Sequence, residues 1–426
     1  MILIFNNFKK KFKNPKFISR SNCLYSNKSK LLENIWTDKI LLKNIYNYLN
    51  KLNKNIIKQL AKKYKNNFGL NYSLKFWEIL LYPWVSYFTF IIFDNYKVLQ
   101  KILKDKNISE ILVSKNILND YTPYDYQQFA HLLKNDEYRF FIFSNTAKFF
   151  IKKNIKKKYI NLNLKKSKNI YLNGNYRNLK IHTKILFFFL RIIFNFKKKN
   201  IILDLPINNV YKKFKYFVFL LKFTFIPFKY NNYGKTKEHD KILRSKFILN
   251  LNHNNFEKIL SQIIPHQIPK SIFENLNENL DFVKKNYPKK IDKISSAHSF
   301  WGDDLVKIWI AMNVEKKTHF FPRQHGGSYG TDKLHTNEYI EKKLGNSFLS
   351  WGWKDRNVKP MPSIEKNILF EKNAALLKNY KNKKMIEKGF LLILSPSNRY
   401  SKNIYSTPMS DEWYQHNQKI ISFLEK

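Results

Sequence analysis

The stretch IWIAMNVEKKTHFFPRQHGGSYG, residues 308–330, carries the reading of the fold. Residues 308–313 are apolar enough for a buried helix. Residues 317–321 read as a short strand that runs into a loop holding Gly326, Gly327 and Gly330. Helix, strand and glycine loop in that order are the building unit of a layered α/β domain. Working outward, residues 348–353 are a second strand-like run behind Gly345, and residues 390–394 (FLLIL) are apolar throughout, as a parallel strand covered on both faces would be. A helix follows from about Asp411, which suits an N-cap. Toward the other end, residues 31–110 read as helices, with Leu41, Ile45, Leu49 and Leu52 recurring along one face. Residues 76–93 are 18 positions with a single charge, Glu78, interrupted by Pro83. That length is borderline for a bilayer span, and a helix buried in a protein core is the preferred reading. No repeat of fixed period is visible, which argues against a solenoid.

Composition sets the outer bounds. A chain of 426 residues, 44% hydrophobic and 17% aromatic, suits two or three domains with real cores and excludes intrinsic disorder. Cys23 is the only cysteine, so a disulfide framework and any zinc site built from several thiolates are excluded. The net charge of +47 would normally point to a polyanionic partner. Its make-up argues otherwise, because 70 Lys stand against 8 Arg, beside 52 Asn and 7 Ala. Residues with AT-rich codons are favoured throughout, and arginine, the side chain suited to bidentate phosphate and base contacts, is scarce. Specific nucleic-acid binding is therefore not expected.

Two aromatic-aliphatic runs, residues 185–196 and 216–228, are flanked by lysines and too short to cross a bilayer. Core burial is the preferred reading for them, and an anionic membrane interface is the other. Residues 1–30 are basic, with an apolar start too short for a secretory signal, so a cytoplasmic location is expected, the interleaved basic and aromatic patches offering peripheral attachment to the inner face of the membrane as the further reading.

The scarce residue types are the informative ones. Arg323, Arg356 and Arg399 fall in the last quarter of the chain, as do Gly326, Gly327, Gly330, Gly345 and Gly352. A strand ending in His-Gly-Gly puts an imidazole at the carboxyl edge of a sheet, where open α/β folds bind ligands. His325 suits general-base work because an imidazole titrates near neutrality, and Arg323 and Gln324 are placed to meet phosphate or sugar oxygens. Asp332, His335 and Glu338 follow in a short polar stretch. Trp351 and Trp353, separated by Gly352, would share one face of a strand, as core or as a platform for a sugar or base. His325 and His335 have no third ligand nearby in the sequence, so no metal site is expected.

These segments resemble the bacterial surface-polysaccharide transferases of the O-antigen type. That family's best motif is a QHGG-x-YG loop followed by WGW-K, here residues 324–330 and 351–354. The likeness extends, in order, to LENIW (32–36), KFWEILLYPWVSYF (75–88) and NRYSKNIYSTP (398–408), while residues 140–290 match poorly. The resemblance implies an α/β, GT-B-like fold, with a Rossmann-like first domain that has a helical N-terminal part and an incomplete second Rossmann-like domain. The expected layout is a basic segment over 1–30, an acceptor-side domain over 31–365 and the start of a donor-side domain over 366–426. Family members continue past the position of Lys426, so the chain is expected to be a truncated copy or to work with a separately encoded half.

The implied reaction moves a glycosyl or polyol-phosphate group from a nucleotide-activated sugar or polyol donor to a glycan or lipid-linked acceptor, with no cofactor. Carried over, His325 is the base, as in the comparable loop of CDP-glycerol glycerophosphotransferases. Gly326 and Gly327 form the close-approach loop, and Arg399 and Tyr405 line the inter-domain cleft. Arg323, Gln324, Tyr329, Glu338, Trp351, Trp353 and Lys354 complete the substrate-binding set. The alternative of a different class is a non-catalytic basic protein that binds nucleic acid or anionic membrane, recognisable by steep loss of binding with salt.

Overall fold

The computed structural model describes residues 3–4, 16–17, 36, 38–104, 110–151, 155–162, 199–204, 223–225, 237–363, 403–404 and 412–425. Two short strands, β1 (Leu3–Ile4) and β2 (Lys16–Phe17), pair in parallel near the start. A pair of long helices follows, α1 (Lys39–Phe68) and α2 (Leu74–Ile102).

α1 starts at Asp38, whose carboxylate accepts from the N–H groups of Ile40 and Leu41 at 2.9 and 3.0 Å. It stops at Gly69, in the left-handed region at φ +69°, whose N–H donates to Lys65 O. Leu42, Ile45, Leu49, Leu52, Ile56 and Leu60 line its buried face. Leu41, expected on that face, is exposed; Leu42 takes the position instead. α2 is the central element and packs on α1 and on four later helices. Ser73 caps it and is itself held by Glu315, which accepts from Ser73 N–H at 2.9 Å and from its hydroxyl at 2.6 Å. Pro83 lies inside α2 without ending it. Tyr64 stacks on Trp77 at 4.4 Å between ring centroids, fixing α1 against α2.

Next come β3 (Glu110–Ser114), α3 (Tyr126–Leu132), α4 (Asp136–Phe150) and β4 (Lys156–Ile160). β3 and β4 pair in parallel over a satellite core of Leu99, Ile111, Leu112, Val113 and Phe140. β5 (Lys199–Ile202) and β6 (Phe223–Phe225) precede three helices, α5 (Lys241–Ser245), α6 (Asn255–Gln267) and α7 (Leu276–Asn286). β7 (Ile291–Ser296) then leads through α8 (Ser299–Gly302) and α9 (Asp304–Glu315) into β8 (His319–Pro322). α10 (Thr336–Leu344), β9 (Phe348–Ser350), β10 (Val358–Pro360) and α11 (Glu412–Leu424) complete the described elements.

The main sheet has the order β6-β5-β7-β8, every pair parallel. Ile294 of β7 stands between Ile201 of β5 and Phe320 of β8, and all three are buried in the same core as the helices. The chain is thus mixed α/β with helices around parallel sheets, as the helix–strand–glycine order implied. β8 does not end the layer. Arg323, just beyond it, bridges to Leu349 of β9 in parallel, and Gln324 N–H donates to Leu349 O at 2.9 Å. That pairing sets the Trp351 segment beside the Gln324 loop.

One local expectation fails. The strand ends at Ser350, and Gly352 at φ +97° turns the chain, so Trp351 and Trp353 do not share a strand face. The Ser350 hydroxyl closes this turn by donating to Trp353 O. Of the lysine-flanked run 216–228, residues 223–225 form β6, while the run 185–196, the FLLIL segment and Cys23 lie outside the described residues.

Candidate functional site

β5, β7 and β8 are parallel, so their carboxyl ends lie on one edge, and the chain there carries Asp204, the segment 296–299 and the loop 323–330. Asp204 adopts φ +61°, a conformation aspartate tolerates better than most residues. Its carboxylate accepts from the N–H groups of Ala297, His298 and Ser299 at 2.8, 3.0 and 3.1 Å, and from the Ser296 hydroxyl at 2.8 Å. The Ser299 hydroxyl donates to it as well. Burial alone would raise the pKa of Asp204, but these hydrogen bonds outweigh it and hold the carboxyl below its ordinary value. The β7 loop is thereby fixed with the His298 ring 4.3 Å from that of His325, centroid to centroid, at 57°.

His325 Nε2 lies 2.9 Å from Glu341 Oε1 and 2.9 Å from Tyr329 Oη. The same Glu341 oxygen accepts from Trp301 Nε1–H at 2.6 Å and from Tyr329 O–H at 3.1 Å. Glu341 is fully buried, whereas the His325 side chain keeps 14% exposure at the sheet edge. Glu341 Oε2 is buried with no hydrogen-bond partner among the described residues. Burial pushes the Glu341 carboxyl up, against the opposing pull of His325, Trp301 and Tyr329.

Local sequence explains how α10 delivers Glu341. His335 is the N-cap of that helix, and its Nδ1 accepts from Glu338 N–H at 3.0 Å. Such a cap requires a neutral imidazole, and burial lowers the His335 pKa, in keeping with that need. Glu338 then reaches back, its Oε2 accepting from Gly330 N–H at 2.8 Å, so the helix start and the glycine loop hold each other. Gly330 sits at φ +75°, and a Cβ there would lie 2.7 Å from the Trp353 ring, so only glycine fits.

The remaining candidates sort themselves by position. Gln324 is buried, its Oε1 accepting from Trp351 N–H at 2.8 Å and Trp353 Nε1–H at 2.9 Å while its Nε2 donates to Gly326 O at 2.9 Å. Its amide joins the two motif loops. Arg323 is buried under the sheet edge, donating to Ser295 Oγ at 3.2 Å and Leu203 O at 2.9 Å. A Cβ at Gly327 would meet open space, and one at Gly326 would come into ordinary contact with the Tyr329 ring at 3.9 Å. Trp353 packs with Tyr329, Phe348 and Val358, Trp351 is half-buried, and Lys354 is exposed. Arg399 and Tyr405 lie outside the described residues.

His325, Tyr329, Gln324, Glu338, Trp351 and Trp353 are therefore brought into one cluster. Sequence reasoning missed Asp204, His298, Trp301 and Glu341. Two of these carried a signal: His298 follows a strand as His325 does, and Glu341 lies one turn beyond Glu338, on the same helix face. Among the described residues, no group of three or more His, Cys, Asp or Glu side chains is arranged to hold a metal ion.

Comparison with curated proteins and with solved structures gives no match. A family model does match, over residues 14–426, and it takes in the helical part, both described motif loops and α11. On that near-complete match, the chain belongs to the LIC12162 family of transferases.

Proposed function

We propose that this transferase moves a glycosyl or polyol-phosphate group from a nucleotide-activated donor to a hydroxyl of a surface glycan of the O-antigen or capsule type, with His325 as the base. The observation that carries the reading is the His325–Glu341 contact of 2.9 Å at the carboxyl edge of a parallel sheet. A buried carboxyl group that accepts one ring N–H fixes an imidazole's tautomer and orientation. With the Nε2 proton directed at Glu341, the basic lone pair is on Nδ1. The acceptor hydroxyl gives its proton to Nδ1 as its oxygen bonds to the donor's electrophilic carbon or phosphorus. The nucleotide phosphate leaves with the electron pair of the broken bond.

His298, beside His325, is the nearest imidazole to meet donor phosphate oxygens. Gly326 and Gly327 leave room for a substrate to approach the loop, and Trp351 offers an apolar face beside it. In a GT-B-like arrangement the donor would be held across a cleft from this edge, by a set that includes Arg399 and Tyr405. The acceptor would be a free or lipid-linked glycan.

The test is turnover of His325→Ala against a panel of nucleotide-activated sugars and polyols, followed as release of free nucleotide. General-base loss lowers turnover by roughly two to four orders of magnitude with the thermal midpoint preserved. Undiminished turnover in that variant would sink the assignment.

A further inference from the structure

Away from the His325 edge, the C-terminal ends of α2 and α4 and the start of α6 enclose a groove of about 930 Å³. Four lysines converge on it: Lys97, Lys101 and Lys104 from α2 and its end, and Lys258 from α6. Among the described residues that line it, none is acidic. Its floor is apolar, made by Leu103, Phe149, Phe150, Ile155 and Ile259. Phe149 stands 50% exposed at this groove, and Phe150 is fixed edge-on against Tyr96 at 5.1 Å.

A lysine-rich chain puts lysines everywhere, so their number alone gives this groove no meaning. Lys101 and Lys104 sit at a helix C-terminus, where a cation is favourable for the helix itself. Lys258 does not. It lies in the first turn of α6, where the helix dipole disfavours positive charge. Lys97, Lys104 and Lys258 have no carboxylate partner among the described residues; Lys97 lies over the Phe93 ring at 5.5 Å. Uncompensated cations from two helices over an aromatic and aliphatic floor are complementary to a ligand that is anionic at one end and apolar at the other.

We propose that this groove is a binding site for an anionic phospholipid, with the phosphate on Lys97, Lys101, Lys104 and Lys258 and an acyl chain along Phe149, Phe150 and Ile259. It shares no residue with the His325 cluster and does not depend on the reaction assigned there. Occupied in this way, the site would hold the protein on the surface of an anionic membrane.

The experiment is co-flotation of the full chain with phosphatidylglycerol–phosphatidylcholine vesicles and with phosphatidylcholine vesicles alone. The wild-type chain is expected to float with the first and not the second. Each lysine near an anionic surface is worth about fivefold in partitioning, so the two charge reversals of Lys97→Glu/Lys258→Glu lower flotation by at least about 25-fold. Phe149→Ser is expected to weaken it without altering the charge. The matched control is Lys58→Glu/Lys62→Glu on the exposed side of α1, expected to cost far less.

An equal loss in the control pair would overturn the site, since bulk charge would then explain binding. So would a wild-type chain that ignores anionic vesicles, or one released from them by inorganic phosphate or an oligonucleotide at an ionic strength where sodium chloride leaves it bound. Lys58, Lys62, Phe149 and Lys258 are exposed and Lys97 is half-buried, and an unchanged thermal midpoint in each variant separates lost binding from lost fold.

Discussion

Three donors converge on Glu341 Oε1, from Trp301, Tyr329 and His325, while its second oxygen has no partner among the described residues. These hydrogen bonds offset part of the desolvation of a buried carboxyl. Its folded-state pKa is raised, so the folded chain binds this proton more tightly than the unfolded chain does. Stability linked to Glu341 is therefore greatest below the ordinary carboxyl pKa and falls as pH rises through the raised one. Glu341→Gln keeps the shape, accepts through one oxygen and cannot ionise. It is expected to lower kcat by roughly 10- to 100-fold with little change in KM, as loss of an orienting partner does. Its thermal midpoint is expected to fall less than that of wild type as pH is raised from about 4 to 8, the window above the ordinary carboxyl value. Parallel loss of activity and of stability at every pH would mean that Glu341 merely fills the core.

At the scale of elements, α10 shows which parts of the site were legible. Glu338 and His335 stood out as a polar stretch after the glycine loop, and the structure makes them the helix start that grips Gly330. Glu341 carries no mark of its own, because its use depends on Trp301 and His325, which reach it from α8 and from the loop after β8. Asp204 was less legible still, since its five donors lie more than 90 residues away and no local periodicity reports such a contact. The Trp351–Trp353 reading failed for a related reason: Gly352 offered a turn, and pairing of Arg323 with Leu349 decided where the strand stopped. The cap supplies a pH prediction. His335 has a lowered pKa through burial, so the unfolded chain binds the proton first. Its contribution is fully present above the ordinary histidine pKa of about 6.5 and is lost as pH falls below it, toward the lower folded value. His335→Asn preserves a side-chain acceptor at the N-cap and removes the titration. Thermal midpoints between about pH 5 and 7.5 are expected to fall less steeply in this variant than in wild type. Identical slopes would show that other histidines, such as His239, which burial first and then nearby cations push down to about 3, dominate the acid limb.

For the molecule as a whole, α2 is the element whose composition left two readings open. Its apolar length is borderline for a bilayer, and the interruption at Pro83 favours a protein core, although both surroundings are apolar and composition alone does not separate them. In the structure 94% of its most apolar window is buried by protein. Tyr64 stacks on it through Trp77, Trp36 Nε1–H donates to Asp94 at 3.0 Å, and Glu78 pairs with Lys343 of α10. Lys75 adds a hydrogen bond to Lys343 O at 2.8 Å, so the helix that carries Glu341 is anchored on α2. Moving α2 into lipid would strip away these contacts and expose the apolar faces of its neighbours. Attachment through the lysine groove at the far end of α2, as proposed above, would rest on charge and a shallow apolar floor, an association that salt and high pH weaken. Membranes carrying the protein, washed in alkaline carbonate, are therefore expected to release it into the supernatant together with other peripheral proteins. Retention in the pellet after that wash, with Lys97→Glu/Lys258→Glu retained equally, would mean that α2 is held by the bilayer and not by the chain around it.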